Sequence, residues 1–395
     1  MSRPSPDAGP TLRRADGLVV ALRPLDPAAP WIQAWRDLAE RVLVDNLFYT
    51  PDYALAAAGA FGSGVRVALV GDRPPEAPGL CLLALWPCRR PRARWGLPLP
   101  LTMGWMHPFG VFGVPLLDAA EAARALDALL SGLTALSGPR LMLTHVPTAG
   151  PFADLLAAWR AGQGGRQAAF WPHERAFLHL AGKDAAARAA YLGHVSGRKR
   201  RRLRQWAERM ASGRTLAFET IRDRDGLRGA VDDYVALEGR GWKGRAGTAI
   251  GGRPAEATFL RAAVAAYAAA GRARIDRFRR DGETLASAIT LTTRAQTWCL
   301  KISFDEAQAR NSPGALLIHR LTESLLADPA LTSADSCAPP GSPIVETLWT
   351  ERLALAHLLV EGPGGDPLFP LAVRLERLRA GVSRLRQGRR AAKPE

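Results

Sequence analysis

Lysine is scarce in this chain. Of the 53 basic side chains among 395 residues, only Lys183, Lys199, Lys243, Lys301 and Lys393 are lysines, and the rest are arginines. In an alanine-rich chain GC-rich coding alone produces such a skew. The formal net charge of +16 therefore has two readings: codon bias, or a polyanionic partner such as nucleic acid, an anionic membrane surface or a phosphorylated cofactor. Cysteine is scarce too. Cys81, Cys88, Cys299 and Cys337 are too few for a disulfide framework and lack zinc-ligand spacing, which leaves free thiols in a reducing compartment and implies no metal. Long apolar runs are missing: no stretch of about eighteen or more strongly apolar residues occurs, and MSRPSPDAGPTLRRADG at the start has no apolar signal region. Neither a membrane span nor a secretory signal is expected, and the expected compartment is the cytoplasm.

What is present is 47% hydrophobic residues, enough for two domains with a core each. Residues 1–16 read as disordered. From 17 to 182, short β-like runs alternate with helical ones: VRVALV (65–70), GLCLLALW (79–86), RLMLTHV (140–146) and ERAFLHL (174–180) as strands, 119–133 and 151–162 as helices. A basic helical connector is expected over 183–212, a second α/β domain over 213–372 and a basic tail over 373–395. In that second domain RTLAFETI, RARIDRFRR, ETLASAITLTT, QTWCLKISF and a run near LTSADSC read as strands. Helices are expected over 226–241, 254–270 and from Pro313. The halves share a layout, since GVPLLDAAEAARALDALL followed by RLMLTHVP parallels SPGALLIHRLTESLL followed by LTSADSCAPP.

The Ser-Pro-Gly at 312–314 sits where a strand gives way to a helix. Ser312 suits an N-cap and Pro313 the first helical position. Gly314 lets a group approach the backbone, and the amides of Gly314, Ala315 and Leu316 aim at an anion such as a pyrophosphate, with Arg310 beside it. The competing reading is a plain helix start. In the basic stretch Arg198, Lys199, Arg200, Arg201, Arg202 and Arg204, Leu203 and Trp206 would face the core while the cations wrap several faces.

Five segments in order, SGRKRRRLRQWAERMASG, LEGRGWKGRAGTAI, RFRRDGETLASAITL, KISFDEAQARNSPGALLIHR and ADSCAPPGSPIVETLWTERLALAHLLV, together resemble the acyl-CoA-binding core of the GNAT acetyltransferase fold. The wording is similar to its BioF2-like branch with the CelD/BcsL-type proteins linked to cellulose and exopolysaccharide biosynthesis. DNLFYTPDY (45–53) resembles that branch's amino-terminal half. Tandem GNAT-like domains with mixed sheets flanked by helices, as in the FemABX transferases, would explain the two-domain layout.

The resemblance implies acyl transfer from acetyl-CoA or another acyl-CoA to an amine or hydroxyl acceptor, with a saccharide or envelope precursor as the acceptor class it suggests. By position Arg310, Asn311, Ser312, Gly314 and Ala315 would hold the pyrophosphate, and Lys301, Ile302 and Ser303 would lie along the pantetheine. Asp305, Glu238 and Asp335 are candidates for the base, each with a surface or capping role as the rival reading. None of the five tyrosines follows the strand near 335, where this fold often places its acid; Cys337 stands near that place, either as substitute or as a buried thiol. Trp242 and Lys243 in GRGWKGRAGTA are acceptor-side candidates, against core packing and solvation. His319 and His357 read as structural. The rival functions are a FemABX-like transferase using aminoacyl-tRNA, which would need 198–204 to grip RNA, and a GNAT-shaped binding protein without catalysis.

Overall fold

A computed structural model describes residues 9–91 and 93–391, with side chains as far as Ser383. Of the expected disordered start, residues 1–8 lie outside the described residues. Residues 9–16 are ordered instead: β1 (Thr11–Arg13) pairs antiparallel with β2 (Val19–Pro24), because Leu18 to Leu22 are buried and carry the neighbouring strand with them.

The chain divides into two units, one of residues 1–55, 62–173 and 354–395 and one of 56–61 and 174–353. In chain order the first series is α1 (Ile32–Ala39), α2 (Pro51–Phe61), β3 (Arg66–Gly71), β4 (Leu82–Arg89), β5 (Thr102–Gly104), β6 (Leu116–Leu117), α3 (Ala122–Ser137), β7 (Arg140–Pro147), α4 (Pro151–Gln163) and β8 (Gln167–His179). The second is α5 (Ala185–Ala190), α6 (Gly197–Ala211), β9 (Leu216–Ile221), α7 (Arg224–Arg240), α8 (Trp242–Arg245), α9 (Pro254–Ala269), β10 (Ala273–Arg280), β11 (Glu283–Thr293), β12 (Gln296–Phe304), α10 (Pro313–Ala327), β13 (Ser333–Asp335), α11 (Pro343–Glu346), β14 (Glu351–Glu361) and α12 (Phe369–Ala391).

Each unit is a mixed sheet flanked by helices. In the first, the order is β1-β2-β3-β4-β5-β7-β14, with β5 and β7 the parallel pair. In the second it is β8-β13-β12-β11-β10-β9, with β12 and β13 parallel. The swap of last strands explains why the chain does not divide at a single point: the end of β8 pairs with β13, and β14 pairs with β7.

The stretch expected as a connector sends three side chains into a core. In α6, which starts on the Ser196 side chain accepting from the Lys199 amide, Leu203, Trp206 and Met210 are buried. Their spacing makes one helical face, and they join Leu317, Ile318, Leu321, Leu325 and Trp349 in one hydrophobic cluster. The basic positions Arg198, Arg200, Arg201, Arg202 and Arg204 stay exposed, and Arg202 lies over the Trp206 ring, 4.7 Å from its centroid. The expected tail begins inside α12, whose Ala372, Glu376 and Ala380 are buried; residues 392–395 of that tail lie outside the described residues.

Candidate active site

In the second unit β12 and β13 run together for three residues, Gln296↔Ser333 to Trp298↔Asp335. There β13 stops, while β12 continues to Phe304 beside β11. A register shift in the β11 pairing skips Leu300 at the parting point, a bulge of the kind that bends a strand and re-aims its groups. The parting leaves a cavity of about 390 Å3 bordered by every residue from Cys299 to Phe304, by Ser336 to Pro339 and by Glu238, Trp242, Lys243 and Glu306. Successive side chains of a strand point to opposite faces. Six consecutive residues can border one cavity only if it runs along the strand's edge, where backbone amides and carbonyls are presented.

The end of α7 supplies the charged wall. Glu238 is 3% exposed; its carboxylate accepts from Lys243 Nζ at 2.6 Å, the Ile250 amide at 2.8 Å and the Tyr234 hydroxyl at 3.3 Å. Burial alone would raise the Glu238 carboxyl, but Lys243, the Ile250 amide and Lys301 outweigh it and hold it below the ordinary carboxylate value. The turn that brings Lys243 round requires Gly244, where a Cβ would fall 1.8 Å from the Gly239 carbonyl oxygen. Lys301 also borders the cavity. Burial, helped by the nearby Lys243 charge, lowers its ammonium to about 8 against the pull of Glu238 and Glu256.

The other sequence candidates separate. Cys337 borders the cavity, and burial followed by the Asp335 charge pushes its thiol well above the ordinary value, so it keeps its proton. Asp335 is fully buried away from the cavity lining, paired with Arg175 at 2.5 Å and accepting from the Cys337 amide at 2.8 Å: it pins the end of β13. Asp305 caps the short 3-10 turn Glu306–Asn311, accepting from the Ala307 amide. Ser312 is not a side-chain cap. It takes a left-handed conformation, φ 43°, and its hydroxyl makes no capping bond, because the preceding turn delivers the chain to α10 from that direction.

Gly314 faces inward, where a Cβ would stand 3.1 Å from the Phe304 ring and 3.3 Å from Ile344. Its missing side chain leaves room for that packing. The Leu316 amide is already bonded to the Ser312 carbonyl, which leaves the amides of Gly314 and Ala315 ahead of the helical ladder. Arg310 is exposed, and Asn311 donates to Gln308 at 3.0 Å.

Trp242 is neither core nor fully covered: it is 59% exposed and borders the cavity. Glu306, which sequence reasoning passed over, accepts from the Trp242 amide and from Arg245, both at 2.5 Å, and so ties the α8 turn to the end of β12. Tyr234 was passed over too; its signal was the four-residue spacing from Glu238 on one helix face. His319 stands 3.6 Å from Glu323 on α10. His357 is buried in the first unit, where burial lowers its imidazole to about 4. No group of three or more His, Cys, Asp or Glu able to hold a metal occurs among the described residues.

A parallel pair that parts beside a bulged central strand, followed by a helix, is a recognisable architecture, and the family comparison agrees: residues 197–338 match the model of the acetyltransferase (GNAT) domain. Residues 197–338 carry a GNAT-fold domain. The bulge at Leu300, the edge cavity and α10 all lie in or beside that GNAT-fold region. Among solved structures the chain is similar to FemX, with TM-score 0.55 and 11% identity over 87% of this chain and 98% of that one. It is also similar to the C-terminal domain of a putative lysylphosphatidylglycerol synthetase from Agrobacterium fabrum, with TM-score 0.51 and 14% identity over 83% and 91% of the two chains. A conserved protein of unknown function from Bacteroides thetaiotaomicron has TM-score 0.50 and 8% identity over 84% and 96%. At such identities the likeness concerns the fold. No curated protein matches the chain.

Proposed function

We propose that the second unit transfers an acyl group, acetyl in the simplest case, from an acyl-CoA thioester to an amine or hydroxyl. The observation that carries this reading is the cavity along the edge of β12. A pantetheine arm is an extended chain of amides, and it pairs with a strand edge as an added strand does. Lys301, Ile302 and Ser303 offer that edge. Beyond it the amides of Gly314 and Ala315, with Ser312, Asn311 and the exposed Arg310, suit the pyrophosphate.

Transfer also needs a proton carrier. Lys301 takes the acceptor's proton as the acceptor nitrogen or oxygen bonds to the thioester carbon, the C–S bond breaks, and the same lysine returns the proton to the departing thiolate. An ammonium near 8 is acidic enough to protonate a thiolate whose thiol has a pKa of about 8.5. The Cys337 thiol, held well above its ordinary value, is a poorer donor. Glu238 positions the two lysines rather than acting as the base, and Asp305 and Asp335 take structural roles.

On the acceptor side, the exposed Trp242 ring provides a stacking face for a sugar, with Lys243 beside it. That suits a saccharide or envelope precursor, the acceptor class that the CelD/BcsL-type resemblance implies, met on the cytoplasmic side where acyl-CoA is available. A second reading, transfer from aminoacyl-tRNA, is favoured by one observation: Arg198, Arg200, Arg201 and Arg204 are exposed with no carboxylate partner among the described residues.

The test is thiol release by the purified chain from acetyl-CoA and longer acyl-CoAs with a panel of amines and sugars. Release that Lys301→Ala removes while CoA binding persists supports the proposal. Binding without release in any combination would assign the chain to the non-catalytic class. Absence of CoA binding, with salt-sensitive binding of aminoacyl-tRNA, would move the reading to the second class.

A further inference from the structure

Among the described residues six large hydrophobic side chains are exposed, and four of them, Leu368, Leu371, Leu378 and Val382, lie on or beside α12 at 46, 40, 68 and 49% exposure. Isolated exposed leucines need no explanation, but a cluster does. The spacing of Leu371, Leu375, Leu378 and Val382 places them in one stripe along a helix. The opposite face, through Phe369, Ala372, Glu376 and Ala380, is buried on the first unit. Thus α12 is apolar on two sides; on the outer one Leu375 is half-buried against the first unit's core, while Leu371, Leu378 and Val382 are presented to solvent.

The charge along that stripe is of one sign. Arg374, Arg377 and Arg379 are exposed, with Arg374 and Arg379 on either flank of the stripe. Arg384, Arg386, Arg389 and Arg390 continue the sequence of the helix. Its one acid, Glu376, is turned inward, accepting from Arg94 at 2.8 Å, from Trp95 Nε1 at 2.8 Å and, at 3.4 Å, from Arg379, whose guanidinium stays half exposed. Trp95 and Arg94 also border a shallow groove with Leu375, Leu378 and Val382.

We propose that α12 is an interfacial helix that docks the protein on an anionic lipid surface. Leucines flanked by arginines match a bilayer boundary, where apolar side chains enter the acyl region and guanidinium groups meet lipid phosphates. A second copy of the chain fits less well, because two such helices would oppose arginine to arginine with no exposed carboxylate between them. A nucleic acid fits less well again, since binding phosphates would leave the leucines in water. No described helix is long and apolar enough to cross a membrane. This inference is independent of the acyl-transfer reading.

The experiment is flotation of the full chain with vesicles of phosphatidylcholine alone and with about one third phosphatidylglycerol, at low and high salt. The expected result is binding to the anionic vesicles only, weakened by salt. In the double variant Leu378→Glu with Val382→Glu, binding should fall about tenfold or more, with the melting temperature and thiol release from acyl-CoA unchanged. Equal binding to neutral vesicles, or binding that survives in the variant, would overturn the proposal. So would no vesicle binding at all; a dimer by sedimentation that the variant dissolves would then assign the stripe to a second copy.

Discussion

From β2 in the first unit and from β9 in the second the chain runs through the same kinds of element, a strand, helices, an antiparallel run of strands, a helix and a parallel strand, and both units reach a point where the parallel pair has to part. In the second unit the parting stays open along β12. In the first, β5 and β7 pair over Thr102↔Leu141 and Met103↔Met142, and the chain then folds back into the space. The Gly113 amide donates to the His145 carbonyl, and a Cβ on Gly113 would fall 2.0 Å from the Thr144 carbonyl oxygen.

Backbone carbonyls in the returning stretch are then occupied: Trp105 O accepts from the Tyr49 hydroxyl at 3.1 Å, Phe109 O from Tyr53 at 2.7 Å and Val114 O from Asn46 at 2.7 Å. Those three donors all belong to DNLFYTPDY. The helix that follows, α3, starts after Asp118 and Glu121; the Asp118 carboxylate already accepts from the Ala120 amide at 3.0 Å and pairs with Arg41 at 2.6 Å, so an anion site at this helix start is taken. One pattern thus gives a sealed copy and an open copy. What separates them is whether buried side chains take the backbone hydrogen bonds at the parting.

The comparison breaks most sharply at the proposed proton carrier. Lys301→Ala should lower the turnover rate by about 10^2 to 10^4 with CoA affinity retained, while removing the His107 imidazole, which lies 4.8 Å from the Trp105 ring in the returning stretch of the sealed copy, by His107→Ala should leave turnover intact; steady-state rates and calorimetric affinities measured together separate the two. Next comes the pair that holds the open copy's edge. Arg175→Ala strands the buried Asp335 carboxylate and should cost about 3–5 kcal/mol, read from urea unfolding. A glycine pair sharpens the contrast further. Gly113→Ala should cost about 3 kcal/mol, since its Cβ meets fixed backbone, whereas Gly314→Ala meets a ring able to give way and should cost about 1 kcal/mol. For that reason a bulkier residue at Gly314 would disturb packing before it tested phosphate binding.

The smallest effect is the pH profile. With Lys301 lowered to about 8 and needed neutral, the rate should rise about tenfold from pH 7 to 9, after allowance for the acceptor's own ionisation, and then level off. Lys301→Arg, charged throughout, should lose that rise.

Most strands and helices were legible because their hydrophobic periods are strong: β3, β7, β10 to β12, α3, α4 and α9 fall where alternation or helical spacing put them. The strand exchange between β8 and β14 was not, since no local residue pattern states which sheet a strand will join. Ser312 and Gly314 show the same limit at the site. Ser-Pro-Gly marks a helix start in sequence, but the left-handed Ser312 and the Phe304 ring against Gly314 depend on the turn before and the strand beside it. Trp242, Lys243, Glu238, Cys337 and the run 301–303 do converge on one cavity. The lowered Lys301 ammonium depends on burial that a sequence does not display.

The central claim is one open edge per chain, and the most direct measurement is the calorimetric stoichiometry of CoA binding to the wild-type chain and to Ser303→Trp, which fills the cavity beside β12. The account predicts one CoA per chain and a loss of about 100-fold or more in affinity in the variant. Two CoA molecules per chain, or wild-type affinity in Ser303→Trp, would contradict it.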